Sequence, residues 1–144
     1  MRGAERTVLC LIDAIRRAHG LQALHGNRAL EAVARAEVRG MLHGDYFAEV
    51  SPSGQTPLQL IAASGYIPRG AGATVAQDTG WGTGADTTPA SIVAAWMASP
   101  PHRANILSDA FRDAGVAVSA RIPRSLGVGH HGATFVFEFG ARIG

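Results

Sequence analysis

A helix that two prolines stop just before a histidine is the feature that most constrains the fold of this chain. Thr88 suits the N-cap position, and Pro89 suits the first helical position, where no amide donor is needed. Helical geometry is disfavoured at the residue before Pro100, so the pattern predicts a helix over residues 89–98. A second short turn should open at His102. The buried face of the helix is marked by apolar residues at helical spacing, namely Ile92, Val93, Trp96 and Met97.

Three earlier helices are predicted from capping residues and apolar spacing. The first covers residues 5–19. The second is capped by Asn27, and we expect it to run to about Gly40. The third starts at Thr56 and ends near Gly65, because a glycine often terminates a helix. Each of these helices has one apolar face, so each should pack against another layer of the molecule.

Strand signals are concentrated in the second half of the chain. Residues 115–122 and 133–139 alternate apolar and polar positions, and a glycine-rich stretch between them predicts a hairpin with a long tip. A short strand is also expected over residues 74–78. Helices that precede an antiparallel sheet indicate an α+β or layered α-β-α arrangement, in one domain over residues 1–144. One face of the final strand should carry Phe135, Phe137 and Phe139.

Composition excludes some classes of function. The net charge is +2, and no basic cluster is denser than Arg16 with Arg17, so nucleic-acid binding is not expected. No apolar run approaches the roughly 18 residues that a membrane span needs. The chain shows no signal-peptide pattern after Met1. Cys10 has no second cysteine to pair with, and we expect it to be a buried apolar residue of the first helix.

Five blocks of the sequence resemble one known family in the family's own order. Residues 95–107, AWMASPPHRANIL, closely resemble the AWMxSPGHRANIL block of the bacterial branch of the CAP superfamily (cysteine-rich secretory proteins, antigen 5, pathogenesis-related proteins). Residues 4–24 look like its opening helix, and residues 45–66 are similar to YFSHTSPDGRTP…GY. Residues 75–84 stand where the family has GENIAWGxG, and residues 133–140 look like YWVQDFG. The resemblance implies a three-layer α-β-α sandwich with a small antiparallel sheet.

The resemblance also implies a central cleft, which in the family usually carries two histidines and two acidic residues. The first histidine corresponds to Glu49 in this chain, and the glutamate of GENIA corresponds to Gln77. The second acidic position corresponds to Ser99. Only the histidine at His102 is retained. We therefore expect Glu49, Gln77, Ser99 and His102 to line one cleft that departs from the family pattern at three positions of four.

A zinc site is disfavoured by these departures. Gln77 does not ionise and supplies no negative ligand, and the replacement of a histidine by Glu49 removes an imidazole. Glu49 and His102 remain as weak candidate ligands, with His43 as a third if it reaches the cleft. No other cofactor is implied. A polar pair that lines an unused cleft, a two-ligand metal site and hydrogen-bonded recognition of a small ligand all remain open.

The resemblance favours an extracellular or cell-envelope domain, monomeric and non-enzymatic, that acts as a binding or interaction module. Its ligand would be a small molecule, a lipid or a protein. The first alternative is a metal-dependent or Ser/His hydrolase, since Ser99, His102 and Glu49 have the residue types of a nucleophile, a base and an orienting acid. Neither G-x-S-x-G nor H-E-x-x-H occurs. The second alternative is a scaffold with no pocket ligand.

Two further features leave alternatives open. Trp81 stands between Gly80 and Gly82, and it either lines the mouth of the cleft or fills the core; we favour the core. His130 and His131 lie side by side near the tip of the predicted hairpin. Solvent exposure is the simpler interpretation of this histidine pair, and metal binding is the alternative.

Overall fold

The computed structural model of the chain describes residues 1–127 and 131–143. Side-chain caps start three of its helices where the sequence predicts them. The Asn27 side chain accepts hydrogen bonds from two backbone amides, and Thr56 and Thr88 each accept one. The helices are α1 (Gly3–Ala18), α2 (Arg28–Gly44), α3 (Pro57–Ala63), α4 (Pro89–Ala98) and α5 (Pro100–Ile106), with short 3-10 turns at Gly84–Thr87 and Arg124–Leu126. The strands are β1 (His25–Gly26), β2 (Gly72–Thr83), β3 (Asp113–Ser119) and β4 (Gly132–Ile143).

The sheet has the strand order β1-β3-β4-β2, which makes β2 an outer strand. The β3–β4 and β4–β2 pairs are antiparallel, as predicted, whereas the two-residue β1 adds a short parallel pair that the sequence analysis did not predict. The predicted layers are confirmed. One face of the sheet packs on α1, α4 and α5, and the other packs on α2 and α3.

Strand β4 is buried on both faces because helices cover both sides of the sheet. Phe135, Phe137 and Phe139 point together into the α1–α4–α5 side of the core, as predicted. Trp96 of α4 is 2% exposed and meets Phe137 edge-on at 6.3 Å between ring centroids. On the other face, Val136 packs against α2.

Helix α2 and strand β2 extend well beyond their predicted ends. Helix α2 continues past Gly40 to Gly44, and Asp45 then adopts the left-handed conformation with φ of 51°. Gly40 serves close packing rather than termination, since a Cβ at that position would lie 2.9 Å from the hydroxyl oxygen of Tyr46. Strand β2 is also much longer than the predicted 74–78, because β4 pairs with its whole length.

The prediction that Cys10 is buried is wrong, since the structure places it on the exposed side of α1. Val8 and Ile12, one turn apart, form the buried stripe of this helix. Cys10 lies two residues from each of them, which at about 100° per residue turns its side chain away from the core.

The prediction that Trp81 fills the core is also wrong, since its side chain is 39% exposed. Successive residues of a strand point to opposite faces. Gly80 and Gly82 take the tightly packed side of β2: a Cβ at Gly80 would lie 2.2 Å from Ile92, and one at Gly82 would lie 2.0 Å from the carbonyl oxygen of Asp86. Trp81 therefore points the other way.

Side chains from α4 and α5 bind the backbone of the outer strand β2. The indole nitrogen of Trp96 donates to the carbonyl oxygen of Thr79 at 2.9 Å, and Asn105 donates to that of Gln77 at 3.4 Å. Outer strands expose backbone groups that invite pairing with other chains. The two helices thus anchor the strand that carries several candidate site residues.

Arg16 is fully buried and joins α1 to the segment that follows α5. Its guanidinium donates to the carbonyl oxygens of Gln22 at 2.8 Å, Ile106 at 2.9 Å, Ser108 at 2.7 Å and Phe111 at 3.4 Å. Burial lowers the pKa of Arg16 from its ordinary value. Among the described residues, no helix combines the length and the apolar character that crossing a membrane requires.

Candidate functional site

A glutamine that bridges two buried glutamates forms the centre of the site. Gln77 of β2 and Glu138 of β4 lie opposite each other in the strand register, so their side chains share the sheet face that α2 covers. Glu37 approaches that face from α2. The side-chain nitrogen of Gln77 donates to Oε2 of Glu37 and, at 2.5 Å, to Oε1 of Glu138. One amide group thus holds two carboxyl groups together in the interior.

Asp78 adds a third buried carboxyl group on the opposite face of β2. Its Oδ1 accepts a hydrogen bond of 2.8 Å from the Asn105 side chain of α5. Asp78 is completely buried, yet among the described residues its carboxyl group makes this single hydrogen bond, and its Oδ2 has no partner. The site therefore extends over both faces of β2, with α2 on one side and α5 on the other.

Burial shifts the proton affinity of all three carboxyl groups in the same direction. The pKa of Glu37 and that of Asp78 are each raised to about 7, mainly by burial and to a smaller extent by the negative charge of Glu49. Hydrogen bonds from Gln77 and Asn105 oppose these shifts. The pKa of Glu138 is raised well above its ordinary value, by burial first and by the neighbouring charge of Glu37 next. Glu37 and Asp78 therefore exchange protons near neutral pH.

Four buried oxygen atoms of this cluster have no hydrogen-bond partner among the described residues. A buried polar atom without a partner costs about 1–3 kcal/mol. Such atoms are rare in folded proteins, and they concentrate where a site takes up a ligand, a proton or water. The four atoms are Oε1 of Glu37, Oε1 of Gln77, Oδ2 of Asp78 and Oε2 of Glu138.

A cavity of about 150 Å³ adjoins the cluster at Glu37. Glu49 also lines it, so the two acidic side chains face the same space. Glu49 is exposed, whereas Glu37 is buried, which indicates that the cavity connects the cluster to solvent. Polar groups on the wall are contributed by Tyr46, Ser51 and Gln55.

Ser99 and His102 form a hydrogen bond with each other at the start of α5. The Ser99 hydroxyl lies 2.7 Å from Nδ1 of His102, and both side chains are half-buried. The two prolines between them begin a helical turn, and residues three apart on a helix lie on the same side. Asn105, one turn beyond His102, is the residue that binds Asp78.

The predicted site residues therefore fall into two groups. Gln77 belongs to the bridged cluster, and Glu49 shares a cavity with the Glu37 member of that cluster. Ser99 and His102 bind each other on the α5 side of the sheet. That all four line a single cleft stays a prediction.

Among the described residues, His43 does not join Glu49 and His102, the two other candidate metal ligands, in a three-ligand site. His43 is exposed in the last turn of α2 and is not among the residues that line the Glu37 cavity. Across residues 1–127 and 131–143, no three His, Cys, Asp or Glu side chains are close enough to hold a metal ion. His131 is exposed just before β4, and His130 lies outside the described residues.

Sequence reasoning missed Glu37 and Glu138, although both carry a signal. Glu37 lies at helical spacing from Val33 and Met41, which makes it a charged residue on an otherwise apolar face. Glu138 interrupts a strand whose neighbouring residues are all apolar or glycine. A carboxyl group in either position must be buried, so it must find a partner or become protonated.

Comparison with known proteins agrees with this fold. The cysteine-rich secretory protein (CAP) family matches residues 9–122. The uncharacterized protein YkwD of Bacillus subtilis (strain 168) is 33% identical over 112 residues, which are 78% of this chain and 41% of YkwD. The chain thus spans less than half the length of this relative.

Two solved structures are similar to this one over most of the chain. An outer surface protein of Borrelia burgdorferi has a TM-score of 0.76 at 19% identity, covering 95% of this chain and 91% of that one. An extracellular protein containing an SCP domain, from Bacillus anthracis, has a TM-score of 0.71 at 21% identity, covering 95% and 40% respectively. At such identities the likeness concerns the fold alone.

Proposed function

Because the chain belongs to the cysteine-rich secretory protein (CAP) family, we propose that it is an extracellular binding or interaction module. Its ligand occupies the cavity that Glu37 and Glu49 line. The domain acts as a monomer outside the cytoplasm, in keeping with relatives described as an outer surface protein and an extracellular protein. The ligand is a small molecule, a lipid or a protein segment.

One observation supports this proposal above the others: three buried oxygen atoms on the sheet face that α2 covers, one each from Glu37, Gln77 and Glu138, have no hydrogen-bond partner among the described residues. All three are acceptors when the carboxyl groups are ionised, so they suit a ligand that presents N–H or O–H donors. Gln77 already uses its nitrogen to join Glu37 and Glu138, which leaves its oxygen available. Pairing these atoms with a ligand removes a desolvation cost that the free protein bears.

Binding rather than catalysis is the better interpretation of this cluster. Gln77 is not a general base, and the described residues hold no group of three metal ligands. The Ser99–His102 hydrogen bond is the one observation that favours the hydrolase alternative. Among the described residues, however, the Glu49 carboxylate makes no hydrogen bond to His102, so the orienting acid of a triad is missing.

The test uses three small probes that differ in charge and donor number: methylammonium, methylguanidinium and N-methylacetamide. Each is titrated into uniformly labelled protein while amide and side-chain NMR signals are followed at neutral pH. We expect the donor-rich methylguanidinium to shift the side-chain amide signals of Gln77 and the backbone signals around Glu37. A Glu37→Leu variant should lose the response, whereas Arg39→Ala, an exposed change on the same helix, should keep it.

The same samples separate the alternatives. If no probe shifts the Gln77 signals, the ligand-binding role is contradicted and a scaffold with no pocket ligand is favoured. Turnover of a p-nitrophenyl ester that disappears in Ser99→Ala and in His102→Ala would instead establish the hydrolase interpretation. We expect no such turnover above the rate in buffer.

A further inference from the structure

Helix α2 carries a row of arginines on its exposed side. Arg28, Arg35 and Arg39 are all exposed, and all three line one cavity of about 500 Å³. Together with Ala32, which also lines the cavity, they are spaced by four, three and four residues, which places them on one side of the helix. The volume lies within the roughly 300–1,000 Å³ of small-molecule sites. The arginines thus share one groove although they are far from adjacent in the sequence.

The acidic groups beside this groove already have partners within the chain. A carboxylate oxygen of Glu31 lies 2.6 Å from a guanidinium nitrogen of Arg35. Glu5 is buried, and its two oxygens accept hydrogen bonds from the backbone amides of Arg2 at 2.7 Å and of Val118 at 3.4 Å. The negative charges of both glutamates are therefore compensated locally.

The arginines keep hydrogen-bond donors for a ligand. Arg35 contacts Glu31 and, at 4.0 Å, Glu5 through one nitrogen atom, Nη2, whereas a guanidinium has five N–H donors. Across residues 1–127 and 131–143, Arg28 and Arg39 form no ion pair. The groove therefore combines two uncompensated positive charges with the remaining donors of a third guanidinium, which selects a ligand of negative charge.

The positions of the arginines select among anions. A carboxylate has two oxygens, which the fork of one guanidinium satisfies, whereas a phosphate group presents three acceptor oxygens and engages two guanidinium groups. Arg35 and Arg39 lie one turn apart and offer such a pair. Arg28 lies two turns before Arg35, about 10 Å along the helix axis, which is a separate position for a second phosphate. Nucleic acid is not favoured, since the net charge of the chain is only +2.

We propose that Arg28, Arg35 and Arg39 form a binding groove for a molecule that carries two or more phosphate groups. One phosphate accepts hydrogen bonds from Arg35 and Arg39, and the other accepts them from Arg28. The ion pair with Glu31 holds Arg35 in place before the ligand binds, which reduces the entropy lost on binding. The groove shares no lining residue with the cavity of the acidic cluster, so this binding does not depend on the function proposed above.

Probes that differ in phosphate number and in anion type test this assignment. Pyrophosphate, inorganic phosphate and succinate are titrated into labelled protein at constant ionic strength, and the arginine Nε–Hε NMR signals are followed. We expect pyrophosphate to shift the signals of Arg28, Arg35 and Arg39 with a dissociation constant of about 0.5 mM. Phosphate should bind about fivefold more weakly, and succinate about tenfold or more. The signal of Arg16 should not move, because its Nε–H is bound to the carbonyl oxygen of Gln22 away from the groove.

Variants separate the roles of the arginines. Arg39→Gln should weaken pyrophosphate binding about tenfold, and Arg39→Lys about threefold, because lysine keeps the charge but lacks the planar fork. Arg28→Gln should weaken the binding of pyrophosphate and leave that of inorganic phosphate unchanged. Both residues are exposed, so we expect these variants to fold normally. Arg69→Gln is the matched control, since Arg69 is exposed and lies outside the groove.

A second measurement distinguishes two sources of the phosphate groups. Cosedimentation with phosphatidylglycerol vesicles, reversed by pyrophosphate and weakened in Arg39→Gln, would indicate lipid headgroups. Pyrophosphate binding without cosedimentation would indicate a soluble phosphate compound.

Three results would overturn the proposal. The first is that the Arg35 and Arg39 signals stay unshifted with pyrophosphate at its highest soluble concentration. The second is that succinate binds as tightly as pyrophosphate, and the third is that Arg69→Gln weakens binding as much as Arg39→Gln does. Either of the last two would show general charge attraction in place of a phosphate site.

Discussion

Two regions of this molecule bury charged side chains, and they satisfy those side chains very differently. Arg16 is completely buried, but its guanidinium reaches the carbonyl oxygens of four other residues, which would otherwise need partners of their own. The cluster around Gln77 is also buried and leaves four oxygen atoms unpaired among the described residues. Within residues 1–127 and 131–143, Arg16 therefore has its full set of partners, and the cluster around Gln77 does not.

The difference matches a structural role for Arg16 and the ligand-binding role that we propose for the cluster. Arg16 links α1 to the chain after α5, so its hydrogen bonds stabilise the arrangement of one helical layer. The carboxyl groups of Glu37, Asp78 and Glu138 instead have pKa values that burial raises, and each has an oxygen atom without a donor in the described part of the chain. Folded proteins retain such incomplete polar groups where a site needs them, at a cost in stability.

The largest expected effect is the loss of Arg16. Arg16→Ala leaves several buried carbonyl oxygens without donors, and we expect it to lower the free energy of unfolding by about 3–5 kcal/mol. Urea denaturation measures the change. Arg17→Ala is the matched control, since Arg17 is adjacent and exposed, and it should change stability by about 0.5 kcal/mol or less. Equal effects of the two variants would contradict the structural role of Arg16.

The acidic cluster should make stability depend on pH in a definite direction. A carboxyl group whose pKa is raised in the folded protein binds more protons there than in the unfolded chain. For Glu37 and Asp78 this difference extends from the ordinary carboxyl range to about pH 7. The free energy of unfolding should therefore fall as pH rises from about 5 to 8, by on the order of 1–3 kcal/mol.

Glu138→Gln identifies the source of that pH dependence. Glutamine resembles the protonated acid, so the variant should reduce the fall and be more stable than the original protein at about pH 8. Asp86→Asn removes an exposed carboxyl group and should leave the slope unchanged. A pH profile that Glu138→Gln does not alter would contradict the proton-binding role of the cluster.

Zinc binding is expected to show the smallest effect. Structural zinc usually has four protein ligands and catalytic zinc three, whereas the matched positions offer Glu49, His102 and the neutral amide of Gln77. Calorimetric titration should therefore detect weak binding or none. Glu49→His, which rebuilds the residue of the family pattern, should increase the affinity. Tight one-to-one binding by the unmodified protein, abolished in His102→Ala, would contradict this prediction.

Local patterns predicted the start of elements better than their ends. Asn27 and Thr88 cap their helices because a cap needs only a side-chain oxygen and the next few amides. The local pattern predicts that α2 ends at about Gly40, but the role of Gly40 depends on Tyr46, which packs against it after the helix has ended. The predictions that Cys10 and Trp81 are buried are wrong because they rest on apolar or small neighbours in the sequence. Exposure depends instead on which face of the helix or strand carries the side chain.

Sequence alone determined the order of helices and strands, the apolar faces that form the layers and the family to which the chain belongs. Those features depend on caps, on periodicity and on short motifs, all of which act over a few residues. The bridged cluster was decided only by tertiary structure. Glu37 and Glu138 lie 40 and 61 positions from Gln77, and they meet it because the β2–β4 register and the packing of α2 bring them to one point. Residue spacing along the chain carries no information about such a contact until the layers have packed.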